Sequence, residues 1–122
     1  MKKDGKIKIL LLEDNESVVK LITKILNKNF KNIEILWNTR AELAFTSIPI
    51  FKPDVIISDY SFPTSTCNII IRQLKKFKGL VIIFSDKDES FIRKQIDVSV
   101  NMILITKPHT LDVVSAIAEH VL

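Results

Sequence analysis

Cysteine occurs once, at Cys67, in a chain of 122 residues. A single thiol excludes an intrachain disulfide and any cysteine-based metal cluster. Long apolar runs are missing as well. No stretch approaches the roughly 20 residues of a membrane span, and the opening Met1-Lys2-Lys3-Asp4-Gly5 lacks the apolar middle of a signal peptide. The expectation is a soluble, unexported protein in cytoplasmic, reducing surroundings. The two histidines, His109 and His120, have no partners at metal-ligand spacing and are expected on the surface. Nor does one sign of charge dominate, since 18 basic against 14 acidic residues leave +4. The lysines at Lys20, Lys24, Lys28, Lys31, Lys75, Lys76 and Lys78 are scattered as on solvated helix faces. That pattern does not mark a nucleic-acid surface.

Repeats, low-complexity tracts and internal linkers are also absent, so residues 1–122 read as one domain. Hydrophobic residues, at 47%, suffice for its core. Four apolar runs stand out, and each ends in a polar residue suited to a phosphate or metal site. Residues 9–12 end at Glu13-Asp14, residues 54–58 at Asp59, residues 80–84 at Ser85, and residues 102–106 at Lys107-Pro108. The first strand is expected over Ile7–Leu12. A helix over Glu16–Phe30 follows, with Val18, Val19, Leu21, Ile22, Ile25 and Leu26 at helical spacing.

A second strand is expected over Ile33–Trp37. Thr39-Arg40-Ala41-Glu42 has the form of a capping box opening a second helix, which Pro49 and Pro53 would bound. The strand Asp54–Ser58 comes next, then a loop with Pro63 and a helix near Cys67–Phe77. That helix would carry an apolar stripe of Ile69, Ile70, Leu74 and Phe77, ended by Gly79. Leu80–Phe84 and Met102–Thr106 complete the strands, with a weak helix over Glu89–Ile96 between them. Thr110 would cap a last helix whose Leu111, Val114, Ile117, Ala118 and Val121 face inward. Alternating strands and helices imply a parallel sheet in a three-layer α/β/α sandwich, a (βα)5 flavodoxin-like, doubly wound unit of strand order 2-1-3-4-5. Strands one and three then flank the switch point, which brings Asp14 beside Asp59.

Glu13, Asp14 and Asp59 in one crevice would repel one another unless a cation lay between them. Oxygen-only ligation favours magnesium over zinc. An ionised aspartate beside such an ion can attack a phosphoryl group without a general base, while Lys107 and the Ser85 hydroxyl supply a cation and a donor.

This ordered set resembles the receiver domain of two-component response regulators. The residues that carry the resemblance are Glu13-Asp14, Lys52-Pro53-Asp54-Val55-Ile56-Ile57-Ser58-Asp59, Pro63 four places later, Ser85 and Lys107-Pro108, so it covers essentially the whole chain. The resemblance implies that Asp59 is the phosphoacceptor, forming an aspartyl phosphate. It also implies Mg²⁺ on Asp14, Asp59 and the main-chain carbonyl of Ser61, with Glu13 acting through a metal-bound water. Ser85 would be the switch hydroxyl, Lys107 the phosphate-pairing lysine, and Pro108 would follow a cis peptide bond. The partners so implied are a histidine kinase or phosphotransfer protein and an output protein or effector domain. The output face would span Glu89–Leu122, where a homodimer could also form. Such a domain is a switch more than an enzyme, limited to its own phosphorylation and dephosphorylation.

Three positions depart from the family pattern. Leu104 stands where receivers carry the aromatic switch residue, Asp86 follows the switch hydroxyl in place of a small residue, and Cys67 replaces a glycine, so an altered loop is expected after Pro63. Leu104 and Asp86 favour an alternative, a phosphorylation-independent interaction module on the same fold. An aspartyl-phosphate phosphatase would need an acid two places after Asp59, where Ser61 stands. A flavin carrier would need a phosphate-cradling loop where Glu13-Asp14-Asn15-Glu16 stands. Taken singly, Glu13-Asp14 reads as helix N-terminal charge, Asp59 as a turn residue, Ser85 as a cap, Cys67 as an inert thiol and Trp37 as packing.

Overall fold

A computed structural model describes residues 5–121; Met1–Asp4 of the opening and Leu122 of the expected output face lie outside the described residues. The chain runs β1 (Ile7–Leu12), α1 (Glu16–Asn29), β2 (Ile33–Asn38), α2 (Ala44–Phe51), β3 (Val55–Ser58), β4 (Ser61–Phe62), β5 (Ser65–Thr66), α3 (Ile71–Lys76), β6 (Leu80–Ser85), α4 (Glu89–Gln95), β7 (Met102–Thr106) and α5 (Thr110–Val121). Five strands form one sheet in the order β2-β1-β3-β6-β7, each pairing parallel. Leaving out the β4-β5 hairpin, this is the expected order 2-1-3-4-5.

Continuous apolar strands follow from burial on both sheet faces. Ile9 and Leu11 of β1 turn to one core with Ile22 and Leu26 of α1 and Ile117 of α5. Leu10 and Leu12 turn to the other, with Ala44 of α2, Leu74 of α3 and Ile92 of α4. The alternation is the two-residue period of a strand. Gly79 precedes β6 where a Cβ would collide with the Asp54 carbonyl and the Phe77 ring.

Several elements differ from expectation. The capping box does not form: Arg40 is the cap residue of a short 3-10 turn over Ala41–Leu43, with no side-chain hydrogen bond. Pro49 lies inside α2 and does not bound it. Its fixed φ is itself helical, so the helix forfeits one hydrogen bond and continues to Phe51 before closing at Lys52, φ 53°. β3 begins at Val55, one residue after the expected start; Asp54 ahead of it donates its amide to the Lys8 carbonyl at 2.7 Å and accepts from the Lys8 amide through Oδ2 at 2.8 Å. The altered loop after Asp59 is the β4-β5 hairpin, and Cys67–Ile70 forms a 3-10 turn ahead of a shortened α3.

The expected apolar faces also shift. Ile69 is exposed while Ile70 and Leu74 are fully buried, and Leu21 of α1 faces out. Thr110 is the first residue of α5 rather than its cap, and the helix buries Val113, Ala116 and Ile117 with Leu111 exposed. Apolar residues cover more than one face of α5, so spacing alone does not choose the face that meets α1. The lysines at Lys20, Lys24, Lys28, Lys31, Lys75, Lys76 and Lys78 are exposed. Among the described residues, no helix is long and apolar enough to cross a membrane.

Candidate functional site

Parallel pairing aligns the strand ends, so the polar residues that terminate the apolar runs meet at one edge. β1 and β3 are neighbours in register, Leu12 beside Ser58. The residues after them, Glu13-Asp14 and Asp59, therefore come together at the point where the chain reverses its direction of travel across the sheet. Glu13, Asp14 and Asp59 each offer a carboxylate oxygen, and these oxygens lie within 4.8 Å of one another. Asp14 is exposed, whereas Glu13 and Asp59 are buried.

Lys107, one residue beyond β7, bridges the buried pair. Its Nζ lies 3.0 Å from Glu13 Oε1 and 3.0 Å from Asp59 Oδ2. Burial raises the Glu13 carboxyl above its ordinary value despite the Lys107 contact, with the neighbouring Asp59 charge adding to the rise. Burial alone would lower the Lys107 ammonium, but Glu13 and Asp59 together hold it above its ordinary value. The β6–β7 pairing sets the lysine in place: Ser85 accepts from the Lys107 amide through its carbonyl at 2.8 Å. The Ser85 side chain is fully buried, and its Oγ accepts from the Lys87 amide at 3.2 Å. The Lys107-Pro108 bond is cis.

Each Asp59 oxygen has its own partners. Oδ1 accepts from the Tyr60 amide at 2.7 Å and the Ser61 amide at 3.4 Å, leaving Oδ2 to Lys107. Cys67 donates its amide to the Tyr60 carbonyl at 2.8 Å. This bond lies just beyond the β4-β5 ladder, in which Ser61 stands opposite Thr66.

Sequence reasoning missed three supports. Trp37, read as packing, donates Nε1–H to the Glu13 carbonyl at 2.6 Å, a bond that no spacing in the sequence signals. Asn15 caps α1 by accepting from the Ser17 and Val18 amides, and its own amide donates to Glu13 Oε2 at 3.1 Å. Tyr60 meets Phe91 of α4 edge to face, ring centroids 5.9 Å apart. Leu104 is partly buried against the second core, and Asp86 is exposed. Cys67 is fully buried, and burial with the nearby Asp59 charge pushes its thiol up to about 12, so it is inert. His109 and His120 are both exposed.

Oxygen-only donors around a carboxylate cluster fit a hard divalent cation and not a zinc centre. A separate cavity of about 690 Å³ opens elsewhere, between Lys52, Asp54, Phe77 and His120, and holds none of these acids. It has no part in this chemistry.

No family model matches the sequence. Among solved structures, the chain is similar to a two-component response regulator of Cytophaga hutchinsonii, at TM-score 0.77 and 20% identity over 93% of this chain and 96% of that one. The fold is that of a receiver domain. The phosphorylated cyanobacterial phytochrome response regulator RcpA shares this receiver fold at TM-score 0.71 and 24% identity, over 93% of this chain and 89% of that one. In sequence the chain is similar to the transcriptional regulatory protein KdpE of Staphylococcus aureus (strain NCTC 8325 / PS 47), 28% identical over 107 residues. That match takes in 86% of this chain and 45% of KdpE, so the chain spans about half the length of this curated relative.

Proposed function

We propose that this receiver-fold domain is a phosphoryl-accepting switch, with Asp59 as the phosphoacceptor. The observation that carries the reading is the bridge from Lys107 Nζ to Asp59 and Glu13 at the switch point, 3.0 Å to each. Asp59 is largely buried, and the donors that hold its carboxylate are the Lys107 ammonium and the Tyr60 and Ser61 amides. In the proposed step an Asp59 oxygen bonds to phosphorus as the P–N bond of a phosphohistidine breaks. The electron pair leaves with the imidazole nitrogen, which takes up a proton. Lys107 then pairs with the transferred phosphoryl oxygens, and Ser85 offers its hydroxyl from the end of β6.

Asp14, Asp59 and the Ser61 carbonyl would hold Mg²⁺. Glu13, whose two oxygens already accept from Lys107 and Asn15, would act through a metal-bound water. The chemistry a bound Mg²⁺ supplies is neutralisation of charge on the phosphoryl oxygens. The donor is a histidine kinase or phosphotransfer protein in the cytoplasm. The reader is an output protein or effector domain that binds around α4, β7 and α5, where a homodimer could also form. Single-domain organisation over residues 1–122 is part of the same proposal.

The test is intact mass after incubation with Mg²⁺ and acetyl phosphate, run beside Asp59→Ala. The expected result is a metal-dependent gain of one phosphoryl group that the variant loses; a gain retained by the variant would overturn the assignment. Leu104, which has no ring to turn inward, favours a second reading, a phosphorylation-independent interaction module. The outcome expected on that reading is no gain from acetyl phosphate or from any phosphorylated donor protein, with Mg²⁺ still bound.

A further inference from the structure

Tyr60 directly follows Asp59 and is almost fully buried at 6% exposure, with its amide on Asp59 Oδ1 at 2.7 Å. A charge-assisted bond of this kind transmits any change in the carboxylate to the Tyr60 peptide. The Tyr60 ring in turn meets the Phe91 ring at 89°, the favoured edge-to-face arrangement. Phe91 sits in the first turn of α4, where its amide donates to the capping Asp88 Oδ1 at 2.8 Å. α4 has only seven residues, too few to be stable apart from its contacts. Its start is also tied to Ser85, which accepts from the Lys87 amide. Phe91 remains 40% exposed, so part of the residue is accessible to a partner. Leu104 supplies no ring for such a role.

Resting on the proposed phosphoacceptor role, we infer that the Tyr60–Phe91 ring pair couples the state of Asp59 to α4. Tyr60 is a positioning residue: it acts on Asp59 through its amide and on α4 through its ring. A marginal helix whose first turn is held by a cap and this ring contact is an element that both ends can bias. Coupling of this kind is reciprocal, so a partner gripping Phe91 alters Asp59 by the same factor.

The experiment uses the full chain with Mg²⁺ and beryllofluoride, a phosphoryl mimic. Binding is followed by the fluorescence of Trp37, the single tryptophan, and the response of α4 by amide exchange over Glu89–Gln95. The wild type and Tyr60→Phe, which keeps the ring, are expected to change their α4 exchange on binding. In Tyr60→Leu and Phe91→Leu the probe still binds, but the α4 response falls about 2- to 12-fold, the range an edge-to-face pair supplies. Tyr60→Leu keeps every residue of α4 and its Asp88 cap, and the α4 exchange of each variant without the mimic is the baseline against which its response is read, so a merely weakened helix does not imitate the result. An undiminished response in both Leu variants, or a wild type that binds without α4 responding, overturns the coupling alone. A wild type that does not bind the mimic overturns the phosphoacceptor reading and the coupling with it.

Discussion

Lys107 is the cation that lets two buried carboxylates face one another. Replacing it by Met leaves Glu13 and Asp59 without their shared partner, and breaking a buried pair in this way costs about 3–5 kcal/mol. Urea unfolding is expected to show that loss without Mg²⁺ and a smaller one with Mg²⁺, which can stand in as the counter-charge. An equal loss in both conditions would mean that the metal lies away from these acids. The same lysine carries a pH dependence. Its native value is raised, so its contribution is fully present below about pH 10.5 and is lost as pH rises through the native value. At this scale the sequence was informative about identity: the acids, Ser85 and Lys107 were legible because each terminates an apolar run. The Trp37 bond to the Glu13 carbonyl was not, since it depends on β2 lying beside β1 and on a ring orientation no spacing encodes.

Helices short of eight residues depend on their ends, and α4 shows how. Asp88 accepts from the Phe91 amide and the Ser90 hydroxyl, and these bonds hold its carboxyl below the ordinary value. A depressed carboxyl contributes stability above its ordinary value and loses it as pH falls through the native one. Amide exchange over α4 is therefore expected to quicken as pH falls below about 3.8, beyond the intrinsic pH dependence of exchange. In Asp88→Ala the protection should already be low at neutral pH. Protection equal to wild type in the variant would show that the cap does not support α4. Asp88 is an ordinary cap residue before Glu89 and was open to recognition in the sequence. The β4-β5 hairpin was not, because each of its strands has two residues, too few for a period. Pro49 misled for a related reason: proline discourages helix interiors, but packing of Ala44 and Ile48 on the core holds α2 together around it.

Across the whole molecule, the acid cluster links folding to metal. A cation that binds only the folded chain stabilises it by mass action, about 2.7 kcal/mol at a hundredfold excess over its Kd. Thermal unfolding is expected to move upward with Mg²⁺ in wild type and much less in Asp14→Asn. Equal shifts in the two would place the ion elsewhere. The sequence by itself determined the strands of the main sheet, their parallel order and the residues at their carboxyl ends. Strands covered on both faces must be continuously apolar, and the polar residue that stops each run marks where the sheet opens to solvent. Tertiary structure alone decided which face of α5 turns inward, how the chain leaves Asp59, and what the Tyr60 ring touches. Those outcomes depend on contacts between segments far apart in the chain, Tyr60 with Phe91 and α5 with α1 among them. A pattern within one segment has no means of recording which neighbour will meet it.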